Sequence, residues 1–88
     1  MVEFCRTFGV LMKNGIEIIT ALRLTAGSMG NLVYRQTLLN ATEHMRSGKP
    51  LHKYLELHER LFPFTVAKMI EIGETTGTLE TNLFYLAE

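Results

Sequence analysis

Two carboxylates in the segment from Phe62 to Leu79, Glu71 and Glu74, are the side chains best placed to do chemistry. They are three residues apart, a spacing at which two side chains are neighbours on one helix surface. Such a pair can act as general acid and base or, with backbone carbonyls, hold a hard cation such as calcium. Carboxylates at this spacing usually belong to a solvated face, and Lys68 supplies a neighbouring positive charge. We expect a solvated Glu71 and a specific contact at Glu74, which lies beside a chain junction.

The remaining chemically active residues are isolated from one another. His52 and His58 are six residues apart, which places them on different sides of one helix, and His44 lies in another predicted helix. Cys5 is the only cysteine, so it forms no internal disulfide, and it has no neighbouring histidine. No nucleophile elbow is present. The sequence therefore predicts no catalytic residue, no metal ligand and no cofactor, and Cys5 is interpreted as a core residue.

The segment that carries Glu74 combines a helix with an unusual glycine. Pro63 suits the first helical turn, where its missing N–H has no partner to lose. Val66, Met69, Ile70 and Gly73 follow at i, i+3, i+4 and i+7, so the apolar stripe ends at a residue without a side chain. A glycine inside a helix costs roughly 1 kcal/mol relative to alanine. We therefore expect a close backbone contact at Gly73.

The end of this helix has two interpretations. The helix can stop near Gly73, or it can continue to Gly77, where Thr78 follows as an N-cap hydroxyl for the next helix. The second interpretation has the stronger stop signal. The same residues partly match a phosphate-binding loop, but the spacing is one residue short, the lysine is absent and a helix precedes them instead of a strand. Nucleotide binding is therefore not predicted.

Length and composition indicate one small folded domain. The 88 residues are 47% hydrophobic and 20% charged, and nine basic side chains balance nine acidic ones. Such a chain buries only one modest core, and it lacks the basic stripe of a nucleic-acid-binding protein. No apolar run approaches the ~20 residues of a membrane span, and no signal peptide is recognisable. The sequence predicts a soluble piece.

Apolar spacing predicts helices and no strands. Gly15 and Gly48 are interpreted as residues that end helices, and Asn31 and Pro50 as residues that begin them. Four methionines at helical spacing fit either core positions or an adaptable binding surface, and Phe84 with Gly73 fits either core or an exposed patch. No cap ends the last helix, which suggests a piece of a longer protein. The predicted helices span residues 2–14, 16–26, 32–47, 51–58, 63–77 and 78–88.

Three stretches resemble a known family. They read FPFTVAKMIEIGETTGTLETNL, LMKNGIEIITAL and SGKPL. Together they closely resemble the cytoplasmic domain of the type II secretion F-protein and type IV pilus C-protein family, the inner-membrane platform proteins of secretion, pilus and competence machines. The ordered set of motif positions is specific, whereas Gly-Glu-x-x-Gly alone is a weak signal. The matching positions are Gly15, Leu22, Gly48, Leu51, Phe62, Pro63, Gly73, Glu74, Gly77 and Leu79.

The resemblance implies a fold, a location and a set of partners. The fold is an all-α, antiparallel six-helix bundle, with residues 1–88 as one of two such cytoplasmic domains of a longer membrane protein. The domain lies at the cytoplasmic face of the bacterial inner membrane and is anchored by helices outside this piece. It acts as a scaffold and not as an enzyme, coupling an assembly ATPase to the movement of pilin-like subunits. Its partners are that ATPase, other inner-membrane assembly proteins and, in a homodimer, a second copy.

Two other functions are open at this stage. Short helices with glycine corners also build helix-turn-helix modules that bind nucleic acid, although the neutral charge disfavours this. An enzyme or metal-binding domain can be centred on Glu71 and Glu74. Some members of the family place carboxylates where this chain has Thr20 and Thr78, near the position of Glu74. This difference makes the resemblance a poor basis for a metal site.

Overall fold

The computed structural model describes residues 1–88 and contains six α-helices and no strand. Helical residues make up 75% of the chain, which confirms the predicted all-α class. The helices are α1 (Val2–Lys13), α2 (Ile18–Ser28), α3 (Leu32–Arg46), α4 (Leu51–Glu56), α5 (Phe64–Thr76) and α6 (Leu79–Ala87).

The second helix differs from its prediction at both ends. It begins at Ile18 because the Glu17 carboxylate caps it, accepting hydrogen bonds from the backbone N–H groups of Ile19 at 2.8 Å and Thr20 at 3.3 Å. These hydrogen bonds, the one from Ile19 above all, lower the pKa of Glu17. The helix then continues past the predicted end at Ala26 to Ser28. A glycine in its last turn therefore does not end this helix.

The other boundaries shift by smaller amounts. Helix α4 ends at Glu56, earlier than predicted, and both prolines precede their helices as N-cap residues, Pro50 for α4 and Pro63 for α5. Helix α5 continues through Gly73 to Thr76, which decides between the two sequence interpretations. Thr78 occupies the N-cap position of α6, but its hydroxyl does not cap the helix. The six helices and their order match the prediction, and the discrepancies concern caps.

The helices pack as a closed ring. Each helix contacts the next one in the chain, and α1 also packs along α6, so that the last helix completes the ring. Gly9 lies in this seam, where a Cβ atom would be at ordinary contact distance from Leu83 Cβ, 3.4 Å, and from the ring of Phe84, 3.5 Å. The Arg6 guanidinium donates a hydrogen bond to the Ala87 carbonyl at 3.4 Å across the same seam. The bundle measures 27 × 25 × 22 Å.

A row of four aromatic rings runs through the core. The ring centroids of Phe8 and Phe4 are 5.7 Å apart, Phe4 and Phe62 are 5.6 Å apart, and Phe62 and Tyr34 are 5.5 Å apart. The pairs that Phe62 makes with Phe4 and Tyr34 are edge-to-face, an arrangement that adds to the stabilisation from buried area. The Tyr34 hydroxyl donates a hydrogen bond to the Leu61 carbonyl at 2.8 Å. The row thereby ties α1, α3 and the connection before α5 together.

The fold also shows whether the methionines and Cys5 lie in the core or at the surface. Met12, Met29 and Met45 are partly buried and pack against the core. Cys5 is fully buried among apolar side chains, as expected for a core residue. That burial raises the pKa of its thiol to about 11, so the group is neutral at physiological pH. Met69 is half-buried, so none of these four methionines forms an exposed patch, and neither does Cys5.

Candidate functional site

The Glu74 carboxylate caps a helix that is distant in sequence. Its two oxygens accept hydrogen bonds from the backbone N–H groups of Leu51 and His52, each at 2.8 Å. These residues open α4, where the first N–H groups have no partner within their own helix. A carboxylate also interacts favourably with the positive end of the helix dipole. The specific contact expected at Glu74 is therefore a contact within the chain, joining α5 to the start of α4.

The local sequence explains why α4 needs a cap from elsewhere. Its N-cap residue is Pro50, whose side chain has no hydrogen-bonding atom, and no side chain of the preceding corner caps the helix. The nearby Ser47 hydroxyl instead donates to the His44 carbonyl at 2.7 Å. Buried N–H groups without an acceptor are costly. A short helix that follows a proline and has no local cap indicates that an acceptor from elsewhere in the chain caps it. This pattern does not identify Glu74 as that acceptor.

His52 shares the contact with Glu74. Its side chain is only 8% exposed, and Nδ1 lies 3.0 Å from the Glu74 carboxylate, which is itself 13% exposed. An ionised carboxylate can only accept hydrogen bonds, so Nδ1 carries the proton of this pair. Sequence reasoning considered His52 only in relation to His58 and missed this partner. The partner was missed because the two residues are 22 positions apart and lie on different helices, so helical spacing does not relate them.

Glu71 does not form an acid pair with Glu74. It accepts a hydrogen bond from Lys68 Nζ at 3.2 Å on a partly exposed face, in agreement with the solvated interpretation. Glu74 turns instead towards α4. The two carboxylates therefore bind different partners, Glu71 the Lys68 ammonium and Glu74 the start of α4 with the His52 ring.

Gly73 lies against the first residue of α6. A Cβ atom at this position would lie 2.6 Å from the Cα atom and 3.0 Å from the backbone nitrogen of Leu79, closer than real Cβ atoms approach. Only a residue without a side chain allows this approach. Leu79 is buried, and its contact with Gly73 fixes the angle at which α6 leaves α5.

Gly77 turns the chain between these two helices. Its φ of 73° lies in the left-handed region, where glycine is favoured over every residue with a Cβ. The Gly73 carbonyl accepts hydrogen bonds from the N–H groups of both Gly77 and Thr78, the latter at 3.0 Å. The Thr78 hydroxyl pairs with the Thr76 hydroxyl at 2.8 Å. The connection thus has two residues: Gly77 is the C-cap of α5, and Thr78 is the N-cap of α6.

The other motif residues lie outside this junction. Gly15 and Gly48 follow α1 and α3 with φ values of 83° and 95°, Phe62 is fully buried in the aromatic row, and Pro63 precedes α5. The structure thus brings together Gly73, Glu74, Gly77 and Leu79, with the Leu51 N–H bonded to Glu74, and leaves the other motif residues as separate corner and core positions. The junction borders a shallow depression lined by Met12, Ile18, Gly73, Glu74, Gly77, Leu79 and Glu80.

Comparison with known proteins identifies the chain's relatives. The family model described as "Type II secretion system (T2SS), protein F" matches residues 4–88. The chain belongs to the type II secretion system protein F family. This match covers all six helices almost completely, and it includes every residue of the junction between α5 and α6.

Curated members of the family include pilus and secretion proteins. The chain is 37% identical over 86 residues to the type IV pilus assembly protein PilC of Thermus thermophilus, an alignment that covers 98% of this chain and 21% of that protein. It is 35% identical over 86 residues to the type II secretion system protein F of Vibrio cholerae, again covering 98% and 21%. The chain therefore spans about a fifth of the length of these relatives.

Members of the T2SS protein F family are structural platform proteins of the inner membrane and not enzymes. None of the helices α1 to α6 is both long and apolar enough to cross a membrane.

Proposed function

We propose that this chain is a cytoplasmic scaffold domain of an inner-membrane platform protein for type II secretion or for type IV or competence pilus assembly. The observation that carries the proposal is the family match over residues 4–88. The relatives are about five times longer than this chain. In the proposed whole protein, membrane-spanning helices and a second copy of this domain lie outside residues 1–88.

The proposed role is to couple an assembly ATPase to the addition or removal of pilin-like subunits. Three helices support it by being linked at the candidate site: Glu74 joins α5 to α4, and Gly73 contacts α6 directly. Because packed helices behave as rigid elements, a displacement applied to one of them is passed to the other two. A scaffold needs such linkage, and it needs no catalytic group.

Exposed apolar side chains offer a surface for protein partners. Phe64 is 76% exposed and Leu57 is 72% exposed, and they lie at the two ends of the connection between α4 and α5. Aromatic and apolar residues of this kind are enriched at protein interfaces. We assign the ATPase, other inner-membrane assembly proteins, pilin-like subunits and a second copy of the domain as the partner classes. The neutral net charge does not favour nucleic acid.

Site-specific crosslinking in the full-length protein tests this function. A photoreactive amino acid at Phe64 or Leu57, expressed in the source bacterium, is expected to capture the ATPase or another component of the machine. The matched control is the same amino acid at Glu43, an exposed position on α3. Phe64→Ser should reduce secretion or pilus number while protein abundance is unchanged. Normal assembly in Phe64→Ser and Leu57→Ser, with no machine component captured from either position, would overturn the proposal.

A further inference from the structure

Helices α4 and α5 bring three metal-binding side chains together. His52 and Glu56 are one turn apart on α4, and Glu71 faces them from α5. One donor atom from each side chain lies within 4.8 Å of the other two. Helical spacing does not reveal this group, because its members come from two helices.

The imidazole of His52 is oriented with a free nitrogen towards the carboxylates. Glu74 holds the ring nitrogen Nδ1 at 3.0 Å and also accepts a hydrogen bond from the backbone N–H of the same residue, so His52 is held through both its ring and its backbone. With the proton on Nδ1, the neutral ring carries its lone pair on Nε2. Nε2 makes no hydrogen bond, and it lies 4.0 Å from the Glu56 carboxylate. The His52 ring is more than nine-tenths buried, and its Nε2 lone pair, which can bind a metal ion, lies near the carboxylates of Glu56 and Glu71.

This arrangement matches the way in which proteins orient histidine ligands. A metal-binding histidine usually donates its other ring N–H to a carboxylate or carbonyl, which fixes the tautomer and increases the basicity of the ligand. Glu74 has this position relative to His52. The cap that Glu74 provides to α4 therefore also prepares Nε2 to bind a metal ion.

The carboxylates have the freedom and the charge that binding requires. The Glu56 and Glu71 side chains are 49% and 38% exposed, so they can move the short distance needed to reach a common ion. The only positive group paired with them is the ammonium of Lys68, 3.2 Å from Glu71. Lys68 is 52% exposed and can swing into solvent when a cation takes its place. The Lys68 ammonium therefore occupies a position beside Glu71 that a bound cation would take over.

We propose that His52 Nε2, Glu56 and Glu71 bind one divalent transition-metal ion of the zinc class, with Glu74 as the residue that positions His52. Imidazole and carboxylate together suit Zn²⁺, whereas calcium prefers an all-oxygen shell. Three protein ligands leave a coordination position for water or for a side chain of a partner. The ion would connect α4 to α5 on the side of His52 opposite the Glu74 cap.

Calorimetric titration of the 88-residue chain with zinc chloride tests the site. We expect one ion per chain, a raised melting temperature and no displacement of zinc by calcium chloride. Glu56→Gln and Glu71→Gln should each weaken zinc binding by about tenfold or more, because a neutral amide is a poor zinc ligand. Both residues are partly exposed, so these variants are expected to keep the fold, which circular dichroism checks.

His58→Gln is the matched control, because His58 stacks on Tyr54 and is not a member of the cluster. It should bind zinc as the parent chain does. The proposal is overturned if the parent chain takes up no zinc at millimolar concentration. It is equally overturned if Glu71→Gln and Glu56→Gln bind zinc with the affinity of the parent, since the ion would then lie on other histidines.

Discussion

At the scale of single residues, Glu74 has the clearest role in the molecule. The sequence places it beside the junction between two helices and predicts a specific contact there. The structure supplies the reason, which is a pair of N–H groups at the start of α4 that lack any nearer acceptor. The partner could not be predicted, because helical periodicity describes faces and does not say which faces meet. The same limit hid the donor set formed by His52, Glu56 and Glu71.

We expect Glu74→Ala to lower the free energy of unfolding by about 2 kcal/mol, because two buried N–H groups lose a charged acceptor. Chemical denaturation in metal-free buffer measures this. Glu71→Ala is the control on the same helix, and an exposed substitution of this kind changes stability by about 0.5 kcal/mol or less. Equal midpoints for the two variants would show that the Glu74 cap contributes no stability. Glu74→Gln, which keeps one carbonyl acceptor, should fall between them.

At the scale of helices, the sequence predicted the number, order and approximate bounds of the elements. Apolar stripes and glycine corners are local signals, and they were sufficient for this. Local reasoning was less reliable where a cap decided the boundary. Glu17 caps α2 with its side chain instead of joining the first turn, and Thr78 occupies a cap position without using its hydroxyl. The Glu17 carboxylate bonds backbone N–H groups of α2, whereas the Thr78 hydroxyl pairs with the Thr76 hydroxyl, and residue order does not specify this choice of partner.

The contact between α5 and α6 predicts opposite effects for two helical glycines. Gly73→Ala places a Cβ atom 2.6 Å from the Leu79 backbone, which cannot yield as a flexible side chain can. We expect it to lower the free energy of unfolding by about 1–3 kcal/mol. Gly27→Ala lies in α2 with no atom within 4 Å of the new Cβ. It should raise the free energy of unfolding by up to about 1 kcal/mol through helix propensity.

Thermal and urea unfolding of the two alanine variants measure these effects. A stable Gly73→Ala variant would mean that α6 can move away from α5 at little cost, and the candidate site would then not be a rigid junction. Gly73→Leu, with its larger side chain, should disrupt the packing further.

At the scale of the whole molecule, the ring of helices depends on one aromatic residue in a connection. Phe62 belongs to no helix, yet it is fully buried and contacts rings from α1 and α3. The all-α class followed from sequence pattern, and the family resemblance supplied the bundle. The aromatic row could not be predicted in full, because Phe4 and Phe8 are neighbours on α1 but Phe62 and Tyr34 join them only through packing between distant parts of the chain.

Phe62→Ala should lower the free energy of unfolding by about 3–5 kcal/mol, the usual cost of deleting a buried aromatic ring. We expect all six helices to unfold in one transition, because a domain of this size has a single core. Phe64→Ala makes the same change at a 76% exposed position and should alter stability by about 0.5 kcal/mol or less. In each variant, circular dichroism should show a single unfolding transition, and hydrogen exchange should show that all six helices unfold together. Separate transitions for α1 and α5 would contradict a shared core.

The seam between α1 and α6 has a mechanical consequence. Arg6, in the second turn of α1, contacts Ala87, so the N-terminal half of α1 and the last turn of α6 lie side by side. Tension applied through residues 1 and 88 would therefore act at one end of the seam. It would separate α1 from α6 progressively from that end, one helical turn after another. Peeling of this kind needs less force than sliding two whole helices past each other. In the role proposed above, the seam would be the part of this domain that a pull releases first.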